Sequence, residues 1–412
     1  MAKEQIIVGL DVGSSKIRVV IALIQHDKKT PNVIGVGLAP STGVRKGKVV
    51  DIDEVIANIS AALEDAERMS GAPIHHVFLG ISGSHLESFD SKGVIAIAHK
   101  GTQVNEDDAD RVLEAAQAVN MPSNVRVLRA IPKSFSIDDQ RGIKNPVGMI
   151  GVRLEVDAHI ITGQSTLIKN LEKAVHQSGV DIDDVIPAPL ASAEAVLSRR
   201  QKELGVVVID VGSGSTSVSV FEEGATLYTS TLPVGGESVT NDVAIGLRTS
   251  IDTAEKVKIE YGTTQPQDVN ERETIDLSLM SKTDTQKVSK KHLAEIIQAR
   301  YHEIFVMVKD ELRSIGRDGM LPAGAILTGA GVKTPGCLDL ARDILGLPVQ
   351  IGFPVEIEGV VDKIDDPAYA TAIGLVVWGS KYEGGGYAGG VGSMNFGRLF
   401  GGIKEWFKNL LP

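Results

Sequence analysis

One cysteine, Cys337, stands among 412 residues. A single thiol excludes an internal disulfide and a Cys-rich metal site, suits a reducing cytoplasm, and reads as a small buried hydrophobe. Uninterrupted apolar runs of about 18 residues are missing, so no transmembrane helix is expected. The start, MAKEQIIVGLDVG, runs straight into a strand-like segment and shows no signal peptide. Cations are outnumbered: the formal net charge of -11 argues against nucleic acid as a partner and sets the body against an anionic membrane. Any membrane contact must therefore come from a local device. Aromatics are scarce at 4%, yet hydrophobic residues reach 42%, enough for well-buried interiors, and the length predicts two or more domains.

Glycine is abundant instead, and its clusters are placed in pattern. Apolar Ile6–Leu10 ends in Asp-Val-Gly-Ser-Ser, followed by apolar Ile17–Ile24 and Val33–Leu38. This predicts a β-meander, with a helix over Asp53–Met69 and a strand over His76–Ile81. The stretch 83–162 reads as an insertion with its own core. Its elements are a strand Gly93–Ala98, a helix Glu106–Asn120 capped by Asn105, and strands Val125–Ile131 and Arg153–Thr162. The opening pattern then returns: Val206–Ile209, Asp-Val-Gly-Ser-Gly-Ser, Val218–Phe221, an acidic turn and Leu227–Pro233. A supersecondary repeat of this kind predicts two α/β lobes related by duplication. Gly262–Lys290 reads as an exposed loop, His292–Ile315 as a helix, and Ser380–Met394, with six glycines, as a flexible linker.

A tight hairpin rich in Gly and Ser lets successive backbone amides converge on one anion without interference from Cβ atoms. Gly13, Ser14 and Ser15, and Gly212, Ser213, Gly214 and Ser215, are therefore candidate phosphate loops, with Lys16 as a cation for the phosphates. Asp11 and Asp210, at the strand ends, repel phosphate but orient Mg²⁺ through its water shell. Three further segments extend the set. Gly329, Ala330 and Gly331 follow the strand-like AILT and suit a base and ribose packed on backbone. Gly235, Gly236 and Glu237 in PVGGE precede a helical stretch, Ser238–Gly246, and predict amides at a helix start for an anion or ribose. Glu255 and Lys258 lie i, i+3 in AEKVKIEYG and border a nucleoside there.

The ordered set LDVGSSK, IDVGSGSTSVSV, PVGGE, AEKVKIEYG and ILTGAGV resembles the actin/Hsp70/sugar-kinase nucleotide-binding superfamily. Within it the chain is similar to the FtsA family of bacterial cell-division proteins, from Ile6 to the C-terminal helix. IPKSFSIDDQRGIKNPVGMIGVRLEVDAHIITG, Ile131–Gly163, carries that distinction, since it lacks a counterpart in actin or Hsp70.

The resemblance implies an actin-like, two-lobed α/β fold with ribonuclease H-like lobes and a small α+β insertion. Residues 1–82, 163–195 and 365–380 then form the first-lobe core. Residues 196–364 form the second lobe, with an outer subdomain at about 238–300. Residues 381–394 are the linker and 395–412 the terminal helix. It also implies ATP and Mg²⁺ as cofactors, filaments of the chain with itself along the membrane, and recruitment of the tubulin-like ring protein FtsZ. FtsZ's C-terminal peptide is expected on the outer second lobe, with Lys290, Lys291 and Arg300 as candidate contacts. The insertion is associated with self-assembly and later division proteins. Relatives that hydrolyse ATP efficiently often carry a carboxylate before Pro-x-Ala-x-Ala. Here Ala188 occupies that position, and a methyl group cannot orient or deprotonate water. Slow turnover at most is expected, with ATP acting as a conformational ligand.

The last residues supply the local membrane device. On a helical wheel Phe396, Leu399, Phe400, Ile403, Trp406, Phe407, Leu410 and Leu411 fall within roughly 140°, with Lys404 and Lys408 off that arc. That pattern fits an interfacial membrane helix, and the resemblance implies a peripheral place at the cytoplasmic face of the cell membrane, at the division site. A pilus-assembly scaffold or a small-molecule kinase shares the fold. The kinase would need a catalytic Asp for which there is no separate motif, and the pilus relatives as a class lack the tail.

Overall fold

The computed structural model describes residues 5–25, 30–97, 103–281, 284, 286–355 and 357–381. Short apolar runs at the start, largely buried along their length, build three antiparallel strands, β1 (Gln5–Val12), β2 (Lys16–Ile24) and β3 (Asn32–Pro40). A small hairpin follows, β4 (Val44–Arg45) and β5 (Lys48–Val49). Helix α1 (Ile52–Ser70) starts where the Asp51 carboxylate accepts from the amides of Asp53 and Glu54, a cap worth about 1 kcal/mol. Val55, Ile59, Ala62, Leu63 and Ala66 recur at helical spacing and bury against the meander. Strand β6 (His76–Ile81) then pairs in parallel with β1.

The insertion comprises β7 (Leu86–Ala96), α2 (Glu106–Gln117), β8 (Val125–Ile137), β9 (Gln140–Ile143) and β10 (Arg153–Gln164). Its antiparallel sheet runs β7-β10-β8-β9, and α2 packs on it over Leu113, Phe135, Leu154 and Val156. Asn105 and Asp108 close a capping box at the start of α2. Strands β7 and β8 extend well beyond Gly93–Ala98 and Val125–Ile131, and α2 stops three residues before Asn120.

The chain returns through α3 (Ser165–Gln177), β11 (Asp181–Pro187) and α4 (Ala188–Val196). After α5 (Arg199–Leu204) the meander recurs as β12 (Val206–Val211), β13 (Thr216–Glu222) and β14 (Ala225–Leu232). Helices α6 (Gly236–Leu247) and α7 (Ile251–Tyr261) follow. Then come β15 (Thr274–Asp276), β16 (Lys287–Ser289) and the long α8 (Lys290–Ser314). Strand β17 (Ala325–Thr328), α9 (Cys337–Leu345) and β18 (Val349–Ile351) complete the second lobe. Cys337 is buried in its core, where burial pushes the thiol up to about 12. Short β19 (Glu358–Gly359) and α10 (Val361–Ile364) lead into α11 (Ala370–Lys381).

Duplication is visible in the sheets. The first lobe runs β11-β6-β1-β2-β3-β19 and the second β14-β13-β12-β17-β18. In each, the first meander strand pairs in parallel with a later strand, β1 with β6 and β12 with β17. The segment Gly262–Lys290 departs from the loop reading. Strands β15 and β16 pair there, and Ile275 and Leu277 bury in the second-lobe core, so a few apolar anchors fix a mostly polar segment. Ser380 and Lys381 belong to α11 rather than to a linker. The remaining linker and the helix expected over 395–412 lie outside the described residues.

Helices α4 and α11 pack tightly against each other beneath the gap between the lobes. A Cβ on Gly374 would sit 1.7 Å from the Ala191 carbonyl oxygen, so only glycine permits that approach.

Candidate functional site

Between the lobes lies a cleft of about 730 Å³. The β1–β2 turn brings Gly13, Ser14, Ser15 and Lys16 to one wall, and the β12–β13 turn brings Gly212, Ser213, Gly214 and Ser215 to the other. Each turn closes on itself, through Gly13 N–H to the Lys16 carbonyl (3.1 Å) and Gly212 N–H to the Ser215 carbonyl (2.9 Å). The amides of Ser14, Ser15, Ser213, Gly214 and Ser215 have no hydrogen-bond acceptor among the described residues. Unpaired amides clustered on two facing turns are what an anion such as a polyphosphate can satisfy.

Asp11 and Asp210 end β1 and β12 and both line the cleft. Burial and the Asp11 charge push Asp210 up to about 6, against a hydrogen bond donated by Thr371 Oγ1 at 3.2 Å. Burial raises Asp11 as well, opposed by the Arg18 guanidinium. Two half-buried carboxylates that resist joint ionisation suit a hard cation that keeps several waters, which is the coordination Mg²⁺ prefers. Gly329, after β17, has φ of 88°, and a Cβ there would lie 2.3 Å from Asp210 Oδ1. Glycine is therefore required for this turn to pass the carboxylate. Ala330 and Gly331 continue the lining, and the buried Tyr301 hydroxyl donates to the Gly331 carbonyl at 2.6 Å, holding the turn from below.

The PVGGE segment behaves differently from the expectation of amides free for a ligand. Gly236 N–H donates to the Gly212 carbonyl (2.9 Å) and Glu237 N–H to that of Ser213 (2.8 Å). These amides brace the second loop, and Gly235 packs behind it, where a Cβ would lie 2.6 Å from both loop carbonyls. Gly236 and Glu237 still line the cleft; Gly235 does not. On α7, Glu255 and Lys258 border the cleft as an ion pair at 2.6 Å, and Lys258 Nζ also donates to Thr240 Oγ1 at 2.7 Å. Ala188 begins α4 and lines the cleft floor beside Thr371, the second residue of α11.

Arg18, Thr371, Tyr301, Thr240 and Lys333 also line the cleft and were not singled out from the sequence. Arg18 carried a signal, a lone cation inside the apolar strand KIRVVIALI; the others carried none locally.

The candidate peptide contacts are scattered and engaged. Lys290 and Lys291 open α8 and pair with Glu273 (2.8 Å) and Glu271 (2.6 Å). Arg300, ten residues further along α8, is held by Asp242 through two hydrogen bonds of 2.6 and 3.0 Å. Phe396, Leu399, Phe400, Ile403, Lys404, Trp406, Phe407, Lys408, Leu410 and Leu411 lie outside the described residues. Among the described residues no helix is long and apolar enough to cross a membrane.

Comparison with known proteins places this arrangement. The family model "Cell division protein FtsA" matches residues 207–374, and "SHS2 domain inserted in FTSA" matches 83–162. The cell division protein FtsA of Neisseria meningitidis is 40% identical, over 97% of this chain and 97% of its own. That of Pseudomonas aeruginosa is 38% identical, over 95% and 93%. That of Bacillus subtilis is 38% identical, over 91% and 84%. Among solved structures, a chain of the PilM–PilN type IV pilus biogenesis complex superposes with a TM-score of 0.67 at 16% identity, covering 91% of this chain and 98% of that one. MreB5 of Spiroplasma citri bound to ADP superposes with a TM-score of 0.51 at 13% identity, covering 90% and 94%. These likenesses establish an actin-like fold with an inserted domain. With sequence identity of this extent along nearly its whole length, the chain belongs to the FtsA family of bacterial cell-division proteins.

Proposed function

We propose that the chain binds ATP with Mg²⁺ in the inter-lobe cleft and, in that state, polymerises along the cytoplasmic face of the cell membrane at the division site. The phosphates lie on the loops at Gly13–Lys16 and Gly212–Ser215, with Mg²⁺ held through water by Asp11 and Asp210 and the nucleoside between α7 and the Gly329–Gly331 turn. The carrying observation is convergence: segments separated by more than three hundred residues, from Asp11 to Gly331, line one cleft and present unpaired amides and two coupled carboxylates. ATP closes the cleft and is turned over slowly at most, because Ala188 stands where relatives that hydrolyse ATP often carry a carboxylate.

The tail at 395–412 attaches each subunit reversibly, and a filament multiplies that weak contact through avidity. The outer second lobe anchors the C-terminal peptide of FtsZ, and the insertion recruits later division proteins. Identity of 38–40% to division proteins favours this reading over a pilus-assembly scaffold, whose likeness rests on fold at 16% identity.

Two measurements test it. Mg²⁺-ATP is expected to raise the melting temperature of the intact chain and to leave Asp210→Ala and Gly212→Val unmoved; equal gains in the variants would remove the cleft as the site. The full chain is expected to pellet with anionic vesicles and a chain ending at Gly392 to stay in solution; equal pelleting would sink the membrane anchor.

A further inference from the structure

The β4–β5 hairpin sits at the phosphate end of the cleft, and its apex, Lys46-Gly47, touches both candidate phosphate loops. Gly47 N–H donates to Ser14 Oγ at 3.3 Å. A Cβ on Gly214 would lie 3.0 Å from Lys46 Cα and 3.1 Å from Lys46 N. A Cβ on Gly47 would meet the Ser82 carbonyl oxygen at 2.2 Å. Ser14, Gly214 and Ser82 all line the cleft, so three of its wall residues grip one two-residue turn.

Two features of that turn are unusual for a surface hairpin. Lys46 adopts φ of 49°, one of four non-glycine residues at positive φ among those described, at a position where Asn or Gly would be less strained. Arg45, Lys46 and Lys48 are all exposed, and none makes an ion pair or side-chain hydrogen bond among the described residues. In a chain of net charge -11, where carboxylates are plentiful, three unpaired cations on one short hairpin beside two sets of unpaired amides form a local electropositive patch. The flexible lysine stem lets its ammonium swing over the Ser14–Gly214 junction, while the backbone is already fixed there.

We propose that Lys46 reads the terminal phosphate of the bound nucleotide and so lets the chain distinguish a nucleoside triphosphate from the diphosphate. This rests on the nucleotide reading above and adds to it a specificity residue outside the two loops. The hairpin also offers a route outward. Val50 and Asp51 amides both donate to the Gly43 carbonyl, and Asp51 caps α1, so a shift of the hairpin moves the start of that helix.

The test uses the full chain with Mg²⁺ and compares calorimetric affinity for ATP and ADP. Lys46→Asn keeps a residue that tolerates positive φ and removes the charge. It is expected to weaken ATP about tenfold or more, the scale of a charge-assisted hydrogen bond, and to leave ADP within about twofold. Lys46→Arg should recover most of the loss, and Lys48→Gln should shift neither nucleotide beyond about twofold. Ligand-free melting of each variant checks the fold. Equal weakening of ATP and ADP would make the hairpin a brace for the loops and overturn the assignment, as would an unchanged ATP affinity. If the unaltered chain binds neither nucleotide, the cleft reading itself falls and the assignment falls with it.

Discussion

Asp210 should cost the ligand-free protein stability at neutral pH, because its folded-state carboxyl titrates near 6 against an ordinary value of 3.8. Burial and the charge of Asp11 are the causes. The folded state keeps this proton up to about pH 6, whereas the unfolded chain releases it near 4. Stability from this group is therefore fully present below pH 4 and lost as pH rises through 6. A shift of about two units corresponds to about 3 kcal/mol at most, and the solvent-open cleft reduces that to about 1–2 kcal/mol. Asp210→Asn keeps the shape and an acceptor for the Thr371 hydroxyl while removing the charge. At pH 8 without nucleotide the variant should melt a few degrees above the parent, and at pH 5 the gap should shrink. With Mg²⁺-ATP the order should reverse, since the variant keeps only Asp11 of the two carboxylates that orient the cation. Paired melts at pH 5 and pH 8, with and without Mg²⁺-ATP, test both signs together. If Asp210→Asn melts below the parent at pH 8 without ligand, the carboxylate is a structural acceptor and the charge-strain argument is wrong.

Other perturbations follow from contacts already described. Burial raises the Glu194 carboxyl, but the Lys202 and Lys381 ammonium groups more than reverse this and hold it at about 2. Glu194→Gln leaves both lysines without their counter-charge and should cost about 1–3 kcal/mol by chemical denaturation near pH 7, with the penalty fading only as pH falls toward 2. Gly374→Val drives a branched side chain into the Ala191 carbonyl and should cost about 3 kcal/mol or more, read as loss of soluble yield or of melting temperature. Ala188→Glu restores a carboxylate at the start of α4 on the cleft floor. Phosphate release from ATP should rise at least severalfold, and no rise would mean that the residue does not face the attacking water.

How much of this was legible in the sequence depended on how local each interaction is. The two D-V-G-S turns were readable because a strand, a turn and a returning strand are neighbours in the chain, and a short turn between two apolar runs sets β1 on β2 and β12 on β13. Helix α1 was readable from one apolar face and one capping aspartate. The length of β7 was not, because its first half, Leu86–Ser91, is mostly polar, and its Ser88 bonds across to the second lobe at Thr229. Polar composition likewise hid β15 and β16, which are fixed by Ile275 and Leu277. The bracing role of Gly236 and Glu237 depends on carbonyls more than twenty residues earlier, and Arg300 is engaged by Asp242 fifty-eight residues away. No window of sequence shows such pairings.

The insertion is covalently part of the first lobe, yet it also grips the second. Ser88 Oγ donates to the Thr229 carbonyl at 2.6 Å, His159 Nε2 lies 3.0 Å from Thr229 Oγ1, and Lys144 pairs with Glu203 at 3.0 Å. His159 is fully buried and its other ring nitrogen is 3.0 Å from Asp90, so the link continues into the insertion's own sheet. A change in the angle between the lobes must therefore either break these contacts or carry the insertion with it. Each neutral hydrogen bond is worth about 1 kcal/mol net, and the exposed Lys144–Glu203 pair is worth no more. A ligand moves the lobes only by its difference in affinity for the two lobe angles; a thousandfold difference supplies about 4 kcal/mol, enough to exceed what the three contacts together resist. The insertion is thus tied to the cleft firmly enough to register the lobe angle and loosely enough not to dictate it. Thr371 of α11 donates to Asp210 at one end of that helix, and Lys381 is bound to Glu194 at the other. The residue that leads out toward the C-terminal segment is thereby joined, through one continuous helix, to the carboxylate at the centre of the cleft.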